Sequence, residues 1–301
     1  MSHYPPMGGI PYPYEHLLEY FVCHCANNLN LGYTTIKLYL CGVKHFYLSL
    51  GYGDITHNMC RLNLTLRGIK KATAKAVKTR IPLTTDLISN LHSVLAAGLV
   101  DTDSDILLWA AICVGFFAGL RCGEFTVKSA FNPDIHLCKG DVIFAFDSSL
   151  GKAYCTLTLR ASKTDPFRQG CQLLLYATGH TLCPITALQA YMARRTTFSL
   201  ESPLFCLPNG TPLTRKKFIE LLRLALEKAG LPSNSFCGHS LRRGFATSLS
   251  LAHTPETIIQ TLGRWSSNCY KRYIDTPKSV VANAQQAIAC GHTFLSPPSA
   301  T

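Results

Sequence analysis

Residues 238–274 read GHSLRRGFATSLSLAHTPETIIQTLGRWSSNCYKRYI, placing two histidines, four arginines, a tryptophan and two tyrosines among helix-forming apolar residues. On a helix begun at His239, Arg242 at i+3 shares the histidine's face and Arg243 at i+4 lies nearly on it. A histidine beside two arginines makes an anion-facing surface. HTPETIIQTLGRW then reads as a new helix, with Thr254 as N-cap, Pro255 at the first position and Gly263 at its end. It delivers Arg264 and Trp265, and a short helix later Tyr270 and Tyr273.

Two earlier segments carry related chemistry. In AGLRCGEFT, residues 118–126, Arg121 ends an apolar helix and Glu124 stands three residues on, close enough to orient the guanidinium. Such an arginine is either half of a structural ion pair or a ligand for an anion, since an unpaired buried one is unfavourable. In the turn SKTD, 162–165, Lys163 sits at a hairpin tip, where a lysine can protonate a departing oxygen. Alone it would simply be solvated, so its meaning depends on its neighbours in space.

Rigid elements must bring these segments together. The opening YPPMGGIPYPY is rich in Pro and Gly and starts no regular element before about Tyr14. Apolar periodicity then predicts helices over Tyr14–Cys25 and Thr34–Leu50, and a third around Asn58–Ile69. RGIKKATAKAVKTR, 67–80, carries six Lys and Arg and no acid. By itself it is a solvated helix end; beside a second domain it makes a strap along a phosphate backbone through Lys70, Lys71, Lys75, Lys78 and Arg80. Pro82 breaks the run and Thr84 or Thr85 can cap a new helix, which sets a boundary between residues 1–80 and 81–301.

The second region begins with expected helices at 84–97 and 103–119. DVIFAFD (141–147), YCTLTLRA (154–161) and CQLLLYAT (171–178) then read as strands, with turns at SSLGK and SKTDPFRQG. Helices resume from about 184, including one at 214–229. The predicted fold class is mainly α with a small three-stranded β-sheet, α+β, in two domains.

Composition narrows the function. With 47% hydrophobic and 15% charged residues the chain is globular, and Lys+Arg 29 against Asp+Glu 17 leaves a net charge of +12. That balance favours a polyanionic partner, nucleic acid before membrane. The longest uncharged apolar run, Ile106–Leu120, contains Gly115 and Gly119, is too short to span a bilayer and reads as a buried helix. No signal peptide is expected from the N-terminus. The fourteen cysteines form no CxxC pair and several sit in apolar runs, which predicts a reduced, intracellular protein without a zinc site. No P-loop or carboxylate cluster is present, so neither a nucleotide nor a metal cofactor is expected.

Taken together, LRCGE (Arg121), SKTD (Lys163), HSLR (His239, Arg242), GRW (Trp265) and YKRY across 118–274 resemble the tyrosine recombinase or phage-integrase family. SKTDPFRQG and GRWSSNCYKRYI look closest to eukaryotic mobile-element recombinases of the DIRS and Crypton kinds. The resemblance implies a C-shaped clamp on double-stranded DNA, with a helical core-binding domain and a catalytic domain. It implies a site-specific recombinase for integration or excision, acting without metal or other cofactor in the nucleus. Arg121 and Arg242 would brace the non-bridging oxygens, His239 and Trp265 would add donors, and Lys163 would protonate the leaving 5′ oxygen of a 3′-phosphotyrosine reaction. Glu124 and Arg243 would support them.

One residue of register stays open. Counting forward from His239 puts Trp265 at the family's His/Trp position; counting back from Tyr273 puts Arg264 there. Trp265 is preferred as a donor that also packs over the nucleophile, with Arg264 second. Tyr273 is the expected nucleophile and Tyr270 its packed neighbour. Val280, Val281, Ala284, Ala287 and Ile288 recur at helical spacing, either folding back on the same domain or docking into a neighbouring protomer of a tetramer. Two other functions fit the same chemistry or fold: a domesticated DNA-binding protein without turnover, and a type IB topoisomerase-like relaxing enzyme.

Overall fold

The structure, a computed structural model, describes residues 12–74, 80–196, 199–274 and 285–286. Its backbone divides into two compact units, Met1–Lys78 and Thr79–Thr301. The first unit is helical: α1 (Glu15–Asn27), α2 (Tyr33–Ser49) and α3 (Cys60–Ala72). Leu18, Val22, Ile36, Leu40, Leu62 and Leu66 recur at helical spacing and bury against one another in its core. α3 starts two residues later than its periodicity predicts because Asn58 takes a left-handed conformation, φ 59°. Lys70 and Lys71 are exposed in its last turn, where cations suit the negative end of the helix dipole. Lys75 and Lys78 lie outside the described residues.

In the second unit α4 (Thr85–Ala96) and α5 (Thr102–Phe117) lead into the single turn α6 (Cys122–Phe125). Asp101 caps α5 by accepting from the backbone N–H of Asp103 (3.1 Å) and Ser104 (2.8 Å). α5 is buried on nearly every side, as its unbroken apolar composition requires. Gly115 does not interrupt it. A Cβ there would stand 3.0 Å from the Phe125 ring and 3.1 Å from Leu241, so the glycine lets neighbouring elements close in. The helix ends at Gly119, whose φ of +54° is the left-handed conformation that turns the chain toward Arg121.

Three antiparallel strands follow in the order β1 (Val142–Asp147), β2 (Lys152–Leu159), β3 (Cys171–Tyr176). The register pairs Val142 with Leu157 and Leu157 with Leu173, so Cys155, Leu157 and Leu159 share one face and bury it in the core. The connection from β2 to β3 carries Lys163, and the Asp165 carboxylate ties it by accepting from the N–H of Gln169 (3.1 Å) and Gly170 (2.8 Å).

Helices α7 (Pro184–Ala193), α8 (Arg215–Lys228), α9 (Ser240–Leu251) and α10 (Glu256–Leu262) complete the unit, followed by a 3₁₀ turn over Asn268–Arg272. Two local expectations need correction. His239 is the N-cap of α9 and not its first helical residue, and Pro255, not Thr254, is the N-cap of α10. Thr254 instead donates its N–H to Leu249 O at the preceding helix end. The predicted C-terminal apolar stripe from Val280 to Ile288 falls outside the described residues.

Candidate active site

Glu124 is the anchor. Its side chain is 5% exposed, and Oε2 accepts from the Arg121 backbone N–H at 2.8 Å while Oε1 accepts from the Arg121 guanidinium at 2.9 Å. The expected i,i+3 pair is therefore present, closed by the single turn of α6. A second arginine, 140 positions away, joins it: Arg264 donates Nη2 to Oε2 at 2.8 Å. Burial pushes the Glu124 carboxyl up, but Arg264 and Arg121 outweigh it and hold the group below its ordinary value.

Glu124→Gln leaves two guanidiniums without their acid, and breaking such a buried pair costs about 3 kcal/mol or more. For a unit of this size Tm is expected to fall by roughly 6–12 °C. A carboxyl whose folded value is depressed stabilises above its unfolded value, here near 4.5, and loses that contribution as pH falls through the folded value. Thermal denaturation of both proteins from pH 7 down to pH 3 should therefore show the wild-type advantage at pH 7 and its shrinkage in acid; equal Tm values at pH 7 would remove Glu124 as the anchor.

Arg242 is 1% exposed. Its guanidinium donates to the carbonyl of Gly119 through Nη1 and to that of Gly263 through Nη2 at 2.5 Å, tying the end of α5 to the end of α10. Its plane lies over the Trp265 ring, 4.4 Å from the centroid. Nε is buried and has no hydrogen-bond partner among the described residues. Burial pushes its pKa down to about 10, with the Arg121 and Arg264 charges adding to the effect, so it stays cationic at neutral pH. Three guanidiniums thus gather around one carboxylate, an excess of positive charge held in place before any anion arrives.

Trp265 is buried and packs 5.9 Å from the Tyr270 ring and 5.6 Å from the Tyr273 ring. Gly263 makes room for it, since a Cβ there would overlap the indole. Arg264 between them takes φ +56°, and that left-handed turn sends its side chain to Glu124 while Trp265 goes under Arg242. In this geometry Arg264 is one of the gathered guanidiniums, and Trp265 is the platform beneath them.

The two tyrosines differ sharply. Tyr270 is 1% exposed and its hydroxyl donates to Glu256 Oε2 at 2.8 Å; burial and that carboxylate both raise its pKa. Tyr273 is half-buried and lines an open cleft of about 500 Å³ with Arg80, Arg215, Cys237, His239, Arg243, Cys269 and Arg272. Of the two, only Tyr273 lines open, cationic space.

A second cleft of about 630 Å³ adjoins it, with Arg121, Lys163, Arg168, Arg215 and His239 in its wall. Lys163 therefore shares a cleft with Arg121 and His239, as the hairpin position predicts. The face shared with His239 is that of Arg243, four residues on, whereas Arg242 turns inward beneath the cluster. Arg80 reaches the Tyr273 cleft, while Lys70 and Lys71 belong to the first unit. Arg168, Arg215 and Arg272 line the clefts although sequence reasoning did not select them; arginines flanking known segments were the available signal.

Cys237 is a further addition. The His239 imidazole beside it pulls its thiol down to about 6 against the effect of burial, and Arg80 helps. At pH 7 iodoacetamide is expected to label Cys237 ahead of Cys155, which burial pushes up to about 11, and ahead of the exposed Cys41 and Cys60. Peptide mass spectrometry over a time course checks the order, and a Cys237 rate no greater than that of Cys41 contradicts it. Among the described residues no group of three or more His, Cys, Asp or Glu is placed to hold a metal ion, and no helix is long and apolar enough to cross a membrane.

No protein-family model and no curated protein matches the chain. Solved structures do match: the chain has the fold of the tyrosine recombinases and integrases. One is XerH site-specific recombinase bound to palindromic difH substrate in a post-cleavage complex, at TM-score 0.57 and 15% identity, covering 91% of this chain and 70% of that one. The Tn1549 transposon integrase in complex with circular intermediate DNA matches at TM-score 0.53 and 18% identity, over 93% of this chain and 87% of its own. A lambda integrase dimer bound to a COC' core site matches at TM-score 0.52 and 16% identity, over 89% and 67% respectively. At these identities the likeness is one of fold.

Proposed function

We propose that this chain is a site-specific DNA recombinase that cleaves and rejoins strands through a 3′-phosphotyrosine at Tyr273. The observation that carries the reading is the set of Arg121, Arg242 and Arg264 around one carboxylate, with Tyr273 opening onto the adjoining basic cleft. Attack by the Tyr273 hydroxyl oxygen on a backbone phosphorus forms the P–O bond to tyrosine and breaks the bond to the 5′ oxygen. The phenol loses a proton and the leaving 5′ oxygen gains one, which Lys163 delivers from its hairpin. Negative charge building on the non-bridging oxygens is met by the guanidiniums, whose positions are set beforehand by Glu124 and Trp265. His239, in both clefts, supplies a further donor. Arg264 serves as the third guanidinium, and Trp265 orients Arg242 and Tyr273 without itself reaching the phosphate. No metal enters these steps.

The partner in this reading is double-stranded DNA, in keeping with the net charge of +12 and with the substrates named for the XerH, Tn1549 and lambda proteins. The first unit and the basic stretch 67–80 hold the duplex while the second unit does the chemistry. The wording of SKTDPFRQG and GRWSSNCYKRYI favours a mobile-element enzyme of DIRS or Crypton kind, acting in the nucleus, with the segment after Tyr273 linking protomers of a tetramer. The test is an adduct assay. DNA is selected by binding to the full chain, nicked near the expected cleavage point, and incubated with protein without metal. A covalent complex that survives denaturant is expected. Salt-sensitive binding with no adduct on any selected sequence would instead favour a protein that kept the fold and lost turnover. Relaxation of plasmid by monomer without a recognition site would favour the topoisomerase reading.

A further inference from the structure

The two clefts share only Arg215 and His239 among their lining residues. Arg215 and His239 thus stand where the two clefts adjoin. The Arg215 backbone is fixed: its N–H donates to Val127 O at 2.9 Å and the Val127 N–H to Leu213 O at 3.0 Å, next to the turn that holds Arg121 and Glu124. Its side chain passes beside Gly238, where a Cβ would stand 3.4 Å from Arg215 Nε and 2.9 Å from the Cys122 Cβ.

The acids near the clefts are already occupied. Glu124 serves Arg121 and Arg264, and Asp165 accepts backbone N–H groups of its own turn. Among the described residues, the side chains lining the Tyr273 cleft include no carboxylate. Arg215 does nothing for its own helix either, because a cation in the first turn of α8 opposes the helix dipole. An exposed arginine between two cationic clefts, with the acids engaged elsewhere, is placed for an anion that spans both.

Resting on the cleavage reading above, we propose that Arg215 binds the DNA phosphate next to the scissile one, so that the two clefts are consecutive stations along a single strand. Arg215 is then a phosphate-binding residue that fixes strand register.

The test uses the full chain and a nicked duplex on which adduct mapping has located the scissile phosphate. Single phosphates on either side are replaced in turn by neutral methylphosphonates, and binding and adduct rate are measured for wild type, Arg215→Ala, Arg215→Lys and Lys216→Ala. Lys216 is an exposed cation lining neither cleft. Wild type should weaken about tenfold when the neighbouring phosphate is neutralised, the scale of one charged hydrogen bond. Arg215→Ala should weaken by a similar factor on natural DNA, show no further loss at that position, and give a shallower salt dependence. Arg215→Lys should recover part of the loss, and Lys216→Ala should keep the wild-type pattern. Wild-type sensitivity persisting in Arg215→Ala at every position overturns the assignment. A wild-type chain that forms no adduct overturns the cleavage reading and this inference with it.

Discussion

Arg242→Lys is expected to lower the rate of DNA adduct formation by about 10²–10³ while the protein still folds. The reasoning is geometric. Arg242 holds Gly119 O and Gly263 O with two arms of one planar group and lays its face on Trp265. Lysine keeps the charge but has neither fork nor plane, so it can hold one carbonyl and not both, and the indole loses its stacking partner. The charge beneath the cluster is then present and misplaced. Arg242→Ala is a poorer test, because two buried carbonyls would lose their donors at about 1–3 kcal/mol each and the fold itself would suffer. Single-turnover adduct rates at saturating DNA, with circular dichroism as the check on folding, measure the effect. A Lys variant within about threefold of wild type would show that Arg242 is structural only.

The sequence carried much of this site and little of its inner wiring. Helices and strands were legible because their apolar periods are plain: α5 from its unbroken apolar run, β2 from the alternation of Cys155, Leu157 and Leu159. The Arg121–Glu124 pair was legible because i,i+3 spacing within a turn brings the groups together on local geometry alone. That Arg264 shares the same carboxylate was not, since nothing local links position 264 to position 124. The separate directions of the Arg264 and Trp265 side chains follow from a left-handed backbone at Arg264, and φ +56° at an arginine leaves no mark in composition. The assignment of His239 to a helix failed for a related reason: a residue one place before the first helical turn has the same spacing as one inside it. Arg215 went unnoticed because its place in the wall of both clefts is set by the tertiary fold.

The choice between the tyrosines was reached by counting along the chain, and the geometry supplies a physical reason for it. Tyr270 gives its hydroxyl to Glu256 and lies out of reach of solvent, with a pKa held above its ordinary value. To attack a phosphate it would have to leave that carboxylate and the packing of Trp265 together. Tyr273 is held differently. Its backbone carbonyl accepts from Thr247 Oγ1 at 3.1 Å and its ring rests on Trp265, so the phenol is fixed at its base while its cleft is open and lined by Arg80, Arg215, Arg243 and Arg272. A ring held at its base beside a basic cleft suits the transesterification proposed for it.

The measurement that bears most directly on the account is the adduct assay on nicked, selected DNA with Tyr273→Phe and Tyr270→Phe side by side. The account predicts no covalent complex with Tyr273→Phe, with DNA binding retained, and a complex still formed by Tyr270→Phe. An adduct that persists in Tyr273→Phe would contradict it.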